Sequence, residues 1–410
     1  MQELINDNSI IGLDLGTSKI CASLCTFDEN GQIHIAGVGT SITEGINKGS
    51  ITNTDLLIKA IKRAITRAER IAKISSKSVI IGLASPTYKT KQASGVISLP
   101  DSRDHITTED KISVIKKARQ LTDIKDYSVI HTVPQKFFID DKLCNSDPIG
   151  TFGSSLKADI LTIQYRNNDI ELIKAIFDKL NLSILAIVAS PLATSKIALT
   201  TSELNTSVAL IDIGGGTTQL AYYQNNIIRH LTILPIGGDH ISSDIKIILK
   251  TSTGEADRLK ILYCHLNKEH YDENNTIEYI MKDNDKELKT NTSEDYLSQI
   301  IKARLEEIFK LISQELKKAI GNKAPEIIVI TGGTSNLPGI DDYATNFFKI
   351  PVRIGIPKDE KEVIESQNYA TSIGLVVYAI KSKLIDINKY KIPSRKKVSN
   401  FVKKWFKDFF

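Results

Sequence analysis

The sequence lacks most of the features that mark secreted and membrane-spanning proteins. Its four cysteines include no CxxC pair, which favours a reducing compartment over a disulfide framework. The first residues, MQELINDNSI, lack the basic region and apolar stretch of a secretory signal. No uninterrupted apolar run approaches the roughly 18 residues expected of a spanning helix. We therefore expect a cytosolic chain.

An excess of positive over negative charge is also lacking outside the C-terminus. The formal net charge is +5, yet residues 381–410 hold ten Lys and Arg residues against two Asp, so that the rest of the chain is faintly acidic. A protein that binds duplex nucleic acid normally needs a basic face to neutralise phosphates. This distribution argues against nucleic acid as a partner of the body.

What is present is an ordinary globular composition, with 41% hydrophobic and 25% charged residues over 410 positions. This length exceeds what one hydrophobic core usually serves, so two or more domains are expected. Apolar runs at 9–15 and 19–27 predict a β-hairpin, and apolar spacing over 56–71 predicts a helix capped by Thr54 or Asn53. The stretch 85–165 mixes strand-like and helical patterns, which indicates a small inserted α/β subdomain.

An internal repeat is the most informative feature of the chain. The segment SIIGLDLGTS at 9–18 is echoed by SVALIDIGGGTT at 207–218, with Asp14 and Asp212 in register. A third glycine site, TGGTSNLPG at 331–339, follows a strand-like run. One aspartate before a glycine turn is usually just a turn, but two in register with a third site are hard to produce by chance. We infer two related halves.

These loops have the chemistry of a site for a magnesium nucleotide. Glycines let backbone N–H groups approach phosphate oxygens, and neighbouring hydroxyls add donors. An aspartate cannot favourably face phosphate without a counter-charge, which hydrated Mg²⁺ supplies while keeping most of its waters. The predicted nucleotide-binding residues are Asp14, Gly16, Thr17, Ser18, Lys19, Asp212, Gly214, Gly215, Gly216, Thr217 and Thr218, with Gly332, Gly333 and Thr334 on the ribose or adenine side. Asp14 and Asp212 are predicted to hold Mg²⁺ through water.

Five segments resemble the superfamily of actin, heat-shock chaperones and sugar kinases. GLDLGTSK (12–19), LIDIGGGTTQLA (210–221) and VITGGTSNLPGI (329–340) resemble its two phosphate loops and its adenosine loop, while ASPLATSKIAL (189–199) and ATSIGLVVYAI (370–380) resemble its two connecting helices. The resemblance implies an α/β fold of two lobes, each with a five-stranded mixed sheet flanked by helices. It also implies ATP-Mg in the cleft between them.

Within that superfamily, three further segments resemble the FtsA family of bacterial cell-division proteins. They are TEGINKGSITN (43–53), HTVPQKFFID (131–140) and DPIGTFGSSLKAD (147–159), and the last two belong to the inserted subdomain. The resemblance implies a protein that polymerises with itself, binds the C-terminal tail of the tubulin-like protein FtsZ, and meets later division proteins through the inserted subdomain. It places the protein on the cytoplasmic face of the cell membrane, at the division site.

The resemblance also implies roles for three charged residues on predicted helices. Asp257 and Lys260 match a pair in the adenine pocket, although residues 255–260 also fit a plain charged helix face. Arg304 matches a position implicated in docking the FtsZ tail, although a solvated helix charge explains it equally well. We find no residue to assign as the base that activates water, so the expected ATPase activity is weak or absent.

The C-terminal tail, RKKVSNFVKKWFKDFF at 395–410, has the pattern of an amphipathic helix. At about 1.5 Å per residue it would reach only about 24 Å, too short and too charged to cross a bilayer, so we expect it to lie on anionic membrane lipids. A terminal helix that docks its apolar stripe on the body is the alternative. The predicted membrane-contacting residues are Val398, Phe401, Val402, Lys403, Lys404, Trp405, Phe406, Lys407 and Phe409.

The leading function is therefore a membrane-tethering adaptor of cell division, and the runner-up is a small-molecule (sugar) kinase of the same superfamily. A kinase would need a substrate-binding lobe and a base that the sequence does not reveal, and it would gain nothing from the tail. The predicted organisation is first-lobe core 1–84, inserted subdomain 85–165, first-lobe core 166–195, second-lobe core 196–236, outlying subdomain 237–305, second-lobe core 306–365, return helix 366–385, linker 386–394 and membrane helix 395–410.

Overall fold

A computed structural model describes residues 4–5, 8–100, 104–267, 275–283, 286–321, 323–356, 367–386 and 389–390. The predicted membrane helix at 395–410 lies outside these residues, as does most of the predicted linker 386–394. Within the described part of the chain, no helix is both long enough and apolar enough to span a bilayer.

The described residues form twenty strands and ten α-helices. In chain order the strands are β1 (Leu4–Ile5), β2 (Ser9–Leu15), β3 (Lys19–Phe27), β4 (Ile33–Ile42), β5 (Ile46–Asn47), β6 (Ser50–Ile51), β7 (Ile74–Ser75), β8 (Ser78–Leu83), β9 (Lys89–Ser98), β10 (Tyr127–Ile139), β11 (Lys142–Cys144), β12 (Ser155–Arg166), β13 (Ser183–Ala189), β14 (Ser207–Ile213), β15 (Thr218–Gln224), β16 (Ile227–Leu234), β17 (Thr276–Asp283), β18 (Lys286–Ser293), β19 (Ile327–Thr331) and β20 (Val352–Ile354). The helices are α1 (Thr54–Ala72), α2 (Thr108–Gln120), α3 (Asn167–Lys179), α4 (Ser190–Ala198), α5 (Thr201–Leu204), α6 (Gly238–Ile248), α7 (Thr253–Tyr263), α8 (Glu294–Ile320), α9 (Ile340–Phe348) and α10 (Ala370–Lys381).

Two five-stranded sheets of the same topology form the centres of two lobes. The first has the order β13-β8-β2-β3-β4 and the second the order β20-β19-β14-β15-β16. In each, three consecutive strands form an antiparallel meander, and the two later strands join parallel to the first strand. The strands β2 and β14, which carry the sequence repeat, occupy the same central position. The predicted two-lobed α/β fold with mixed sheets is confirmed.

The local sequence explains why these elements form. The run SIIGLDL of β2 is buried along almost its whole length, as expected for a central strand that is covered on both faces. Helix α1 buries an apolar stripe at helical spacing. Its N-cap is Asn53, whose side chain accepts a hydrogen bond from the Leu56 N–H at 3.0 Å, so Asn53 and not Thr54 performs the capping.

Two helices connect the lobes. Helix α4 leads from β13 toward the second lobe, and α10 returns from the second lobe and packs against α4 and β2. The contact is close because Gly374 has no side chain: a Cβ there would lie 2.2 Å from the carbonyl oxygen of Ala193. The two lobes are therefore joined at the base by directly packed helices.

Each lobe carries an additional subdomain. An antiparallel sheet of order β11-β10-β12-β9 is inserted between β8 and α3, and α2 packs on it over a small core of its own. In the second lobe, α6 packs on α7 and α8, and these two helices contact the hairpin of β17 and β18. The domain boundaries given above remain a prediction.

Candidate functional site

A cavity between the lobes gathers most of the predicted loop residues at the carboxyl ends of β2 and β14. Its volume is about 440 Å³. The predicted residues that line it are Asp14, Gly16, Thr17, Ser18, Lys19, Asp212, Gly214, Gly215, Thr217, Asp257, Lys260, Gly332, Gly333 and Thr334. The tertiary structure thus brings three distant glycine segments and one helix to a single space.

The first loop connects β2 to β3. The Thr43 hydroxyl donates to the Gly16 carbonyl at 2.8 Å, and the Gly49 N–H donates to the Thr17 hydroxyl at 3.2 Å. Both bonds come from the segment after β4, so the loop is held from one side while its other side faces the cavity. Lys19, the first residue of β3, lies with its Nζ 5.5 Å from the ring centre of Tyr369.

The second loop connects β14 to β15 and is closed by a bond from the Gly214 N–H to the Thr217 carbonyl at 2.9 Å. The Gly214 carbonyl accepts from the Gly238 N–H at 2.9 Å and from the Thr334 hydroxyl at 3.2 Å. The Gly215 carbonyl accepts from the N–H of Asp239 at 2.9 Å. Protein donors therefore occupy two oxygens that would otherwise repel an anion in the cavity.

Two predicted residues of the second loop do not line the cavity. Gly216 lies against the first loop, where a Cβ would come within 2.4 Å of the Thr17 methyl group. Thr218 is fully buried, and its hydroxyl donates to the Ile236 carbonyl at 2.8 Å. The structure gives both residues contacts that hold the loop in place.

The third glycine segment lies on the aspartate of the second loop. Gly332 has a φ of +88°, and a Cβ at this position would lie 2.3 Å from Oδ1 of Asp212. Only glycine combines this backbone conformation with so close an approach. The chain then enters a 3₁₀ turn at Gly333–Asn336, which forms the far wall of the cavity.

Asp257 and Lys260 form an ion pair on α7, with Nζ and Oδ1 3.1 Å apart. The Ser242 hydroxyl donates to Asp257 at 2.5 Å, and Lys260 donates to that hydroxyl at 2.6 Å and to the Gly238 carbonyl at 3.2 Å. The pair therefore joins α7 to the beginning of α6. Both side chains still line the cavity, so the predicted pocket role and the charged-helix interpretation both remain compatible with their positions.

Two carboxylates at the bottom of the cavity lack a sufficient counter-charge. The pKa of Asp14 is raised to about 7, mainly by burial and also by the nearby charge of Asp212, while Lys19 opposes this shift. Burial also raises the pKa of Asp212 to about 6, against a hydrogen bond from Thr194 and the charge of Lys19. Lys19 itself has a lowered pKa, mainly because it is buried. The described residues contain no cluster of three or more His, Cys, Asp or Glu that could hold a metal.

Sequence reasoning missed several residues of the cavity wall. Asp239, at the start of α6, accepts the hydrogen bond of the Ser18 hydroxyl, whose oxygen lies 2.8 and 3.0 Å from the two carboxylate oxygens, and so links the two lobes. Gln219, on β15, is 7% exposed, and its Oε1 has no hydrogen-bond partner among the described residues. Thr371 comes from α10. The Gly237-Gly238-Asp239 turn after β16 is a local sequence pattern from which Asp239 could have been predicted. No such glycine turn precedes Thr371.

Arg304 lies on α8, outside this cavity. Its Nε and Nη2 donate to Asp244 of α6 at 2.6 and 2.7 Å, and Nη1 donates to Glu307. About a quarter of the side chain is exposed (23%). Arg304 is therefore an internally paired residue whose edge reaches the surface.

Two family models match parts of this chain. The family model "Cell division protein FtsA" matches residues 209–374, and the model "SHS2 domain inserted in FTSA" matches residues 86–164. The cell-division protein FtsA of Pseudomonas aeruginosa is 30% identical over 389 residues, which cover 93% of this chain and 92% of that protein. This chain belongs to the FtsA family of cell-division proteins. The FtsA of Neisseria meningitidis is 31% identical over 378 residues, covering 90% and 89% of the two chains.

Solved structures agree with the fold. The "PilM-PilN type IV pilus biogenesis complex" superposes with a TM-score of 0.65 at 13% identity, covering 90% of this chain and 98% of that one. MreB5 of Spiroplasma citri bound to AMPPNP superposes with a TM-score of 0.53 at 14% identity, covering 98% and 99%. The family fold is thus that of the actin-like proteins.

Proposed function

We propose that this protein of the FtsA family binds ATP-Mg between its lobes, self-associates, and anchors the tubulin-like FtsZ ring to the cytoplasmic face of the membrane through its C-terminal amphipathic helix. The observation that carries the nucleotide part is the meeting of two aspartate-glycine loops, one from each lobe, across one cavity. Family membership in cell-division proteins disfavours the alternative of a sugar kinase.

The phosphate chain would lie between the two loops. Gly16 and Gly215 line the cavity without a side chain, so that their backbone is within reach of an anion. Gly215 also packs closely on the other lobe, since a Cβ there would come 1.5 Å from the Ser18 hydroxyl. The hydroxyl of Thr217 and the ammonium of Lys19 line the same space. The Ser18 hydroxyl lines it too and would have to turn from Asp239 to the phosphate. These donors are the groups that a triphosphate requires.

The two aspartates fit a hydrated divalent cation. Their raised pKa values show that each carboxylate would gain from a nearby positive charge. Mg²⁺ usually keeps several waters and takes only one or two carboxylates together with phosphate oxygens. A pair of aspartates that belongs to no larger metal-binding cluster within the described part of the chain suits it. When bound, the ion would neutralise phosphate charge, while Asp14 and Asp212 would orient its waters.

The other end of the cavity suits a nucleoside. Ile261 and Leu337 offer apolar side chains, and Asn336, Asp257 and Lys260 offer polar groups. Gly333 lines this end of the cavity with its backbone alone. An adenine ring would bury its faces against the apolar groups, while the Asp257–Lys260 pair would reach the ribose or the ring edge. The AMPPNP bound to MreB5, which shares this fold, supports a nucleotide here.

Calorimetric titration of the full chain with ATP, with and without Mg²⁺, tests the nucleotide site. We expect saturable binding that tightens by about tenfold or more when Mg²⁺ is present, because the two carboxylates otherwise repel the phosphates. Asp212→Asn should lose this dependence on Mg²⁺, whereas Asp178→Asn, an exposed residue at the end of α3, should keep it. Absence of saturable heat from well-folded protein would remove the proposal.

The anchor is proposed from the sequence of the tail and from where the described chain ends. After α10, the ring of Tyr390 packs against Phe27 of β3, with ring centres 6.2 Å apart. The proposed tail at 395–410 would therefore leave from the surface of the first lobe. An anionic leaflet attracts each nearby base by at most about 1 kcal/mol, and the entropy lost when the helix orders opposes this attraction. One tail would therefore hold weakly, whereas an assembly of several chains would hold firmly.

A liposome-pelleting assay with anionic vesicles tests the anchor. Trp405→Glu should abolish most of the pelleting because it places a charge on the apolar face. Asn400→Glu is the matched control, since it adds the same charge on the opposite side of the predicted helix. It should weaken only the electrostatic attraction to the anionic vesicles and leave the apolar contact with the lipid intact. Equal pelleting of Trp405→Glu and the unmodified chain would discard the anchor.

The FtsZ tail is proposed to dock on the outlying subdomain of the second lobe near Arg304. A carboxylate of the partner would have to share this guanidinium with Asp244 and Glu307. Peptide-binding measurements with the FtsZ tail test this role: Arg304→Gln should weaken binding, and Lys310→Glu, a more exposed cation on the same helix, should change it less. Unchanged affinity of Arg304→Gln would remove Arg304 from the docking surface.

A further inference from the structure

A second cavity lies where the inserted sheet meets the second lobe, apart from the cleft between the loops. Its volume is about 610 Å³, which is within the range of small-molecule sites. Strands β9, β10 and β12 form one side, and β15, β16 and the end of α8 form the other. Most of its lining side chains are polar.

Two β-bulges, one from each sheet, meet at this cavity. In the pairing of β10 with β12, the register shifts at Gln135, which is left without a partner. In the pairing of β15 with β16, the register shifts at Arg229 in the same way. The two bulged residues contact each other, because Nη1 of Arg229 donates to Oε1 of Gln135 at 3.1 Å and to its backbone carbonyl at 3.4 Å.

The bulges also fix the direction of the arginine. Gln135 is 8% exposed, and its Nε2 donates to the Ile228 carbonyl at 2.9 Å, so its Oε1 is held toward Arg229. Bulges re-aim side chains and are frequent beside functional sites. Here two independent bulges serve one guanidinium that lines the cavity.

The charge of Arg229 is not compensated. The side chain is partly buried, and burial lowers its pKa, with only Tyr222 acting in the opposite direction. Among the described residues, no carboxylate forms an ion pair with it, and its Nε and Nη2 have no hydrogen-bond partner. Lys136 and Lys323 add two exposed cations to the wall. The one lining carboxylate, Asp159, already accepts a hydrogen bond from Ser94 at 2.5 Å.

We propose that this cavity binds a small organic anion, either a phosphate monoester or a dicarboxylate, whose anionic group pairs with Arg229. The Nε and Nη2 edge of a guanidinium matches two oxygens of phosphate or carboxylate in a bidentate arrangement. Lys136 and Lys323 supply the remaining charge at the rim. A bound anion would tie the inserted subdomain to the second lobe, and this site does not depend on the nucleotide proposal.

Isoleucine methyl NMR of the full chain separates the two cavities. Ile160 and Ile320 line the proposed anion site, whereas Ile261 lines the cleft between the loops. Titrations with inorganic phosphate and with succinate should each be followed at these methyl groups. We expect saturable shifts at Ile160 and Ile320 in the millimolar range, and the probe that binds more tightly identifies the ligand class.

Substitutions test whether Arg229 is responsible for binding the anion. Arg229→Gln should weaken binding of the better probe by about tenfold or more, while Lys246→Gln, an exposed cation on α6, should leave it unchanged. Lys323 lies outside both bulges, and Lys323→Glu should also weaken binding of the probe. This second variant therefore tests the proposal if Arg229→Gln does not fold. Shifts confined to Ile261 or the absence of saturable shifts would overturn the proposal. So would equal affinity of the unmodified chain and folded Arg229→Gln, or folded Lys323→Glu where Arg229→Gln does not fold.

Discussion

The imidazole of His131 should make the stability of this protein fall in mild acid. His131 lies on β10, 5% exposed, at the junction of the inserted subdomain with both lobe-connecting helices. Its Nε2 accepts a hydrogen bond from the Ala189 N–H at 3.0 Å, and its ring meets that of Tyr378 edge-on at 5.5 Å. A proton on Nε2 would face that N–H, so the folded site favours the neutral ring.

The sign and size of this pH effect follow from the pKa of His131 in the folded and in the unfolded state. Burial lowers the pKa of His131 from 6.5 to about 4 in the folded protein, whereas the unfolded chain keeps a value near 6.5. Between these values the unfolded state binds the extra proton, so stability is fully present above pH 6.5 and is lost as the pH falls toward 4. Proton linkage gives a cost of about 2 kcal/mol at pH 5 and a limit of about 3 kcal/mol below pH 4.

Urea unfolding at pH 7.5 and pH 5.0 measures this effect when the chain is compared with His131→Gln. The glutamine can still accept the hydrogen bond from Ala189 but does not titrate, and all other titrating groups are shared by the two proteins. The unmodified chain should therefore lose about 2 kcal/mol more than the variant on acidification. NMR titration of the imidazole should show it neutral at pH 5. Equal losses in the two proteins, or an imidazole protonated at pH 5, would refute the reasoning.

Two further predictions concern the cleft. Binding of ATP-Mg at pH 7 should release protons, because a nearby cation lowers the pKa of Asp14 from about 7. Calorimetric titrations in buffers of different ionisation enthalpy measure this proton release. The release should vanish at pH 9 and should be smaller in Asp14→Asn. Gly332→Ala should reduce both stability and nucleotide affinity, because it combines a backbone cost of about 1–3 kcal/mol with a Cβ 2.3 Å from Asp212. The control Gly321→Ala has a φ of +65°, and no atom of the described residues beyond its own chain neighbours lies within 4 Å of its Cβ position. It should therefore lose stability alone, and similar nucleotide affinity in both variants would contradict the role of Gly332 beside the aspartate.

The glycine loops could be predicted because their signal is local. A buried strand, an aspartate and a glycine turn follow one another within ten residues in each half, and the repeat makes the signal specific. The predicted residues Gly216 and Thr218 belong to the same motif but serve the loop itself, which no pattern along the chain reveals. Asp257 and Lys260 were found only through a family resemblance.

Other features depend on segments that are far apart in the chain. The bonds from Ser18 to Asp239, from Arg304 to Asp244 and from Arg229 to Gln135 join residues separated by 221, 60 and 94 positions. The raised pKa of Asp14 likewise arises from burial and from the charge of Asp212, and the raised pKa of Asp212 arises from burial. None of these follows from residue type or spacing.

The amino-acid sequence by itself determined the strands of the repeat, the turns that follow them and the amphipathic pattern of the tail, because hydrogen bonding and side-chain periodicity act between near neighbours. Only the tertiary structure decided that the two repeats face each other across one cavity, and that two bulges from different sheets meet at Arg229. Such approaches are set by how whole sheets and helices pack, since packing alone places residues from distant segments within bonding distance.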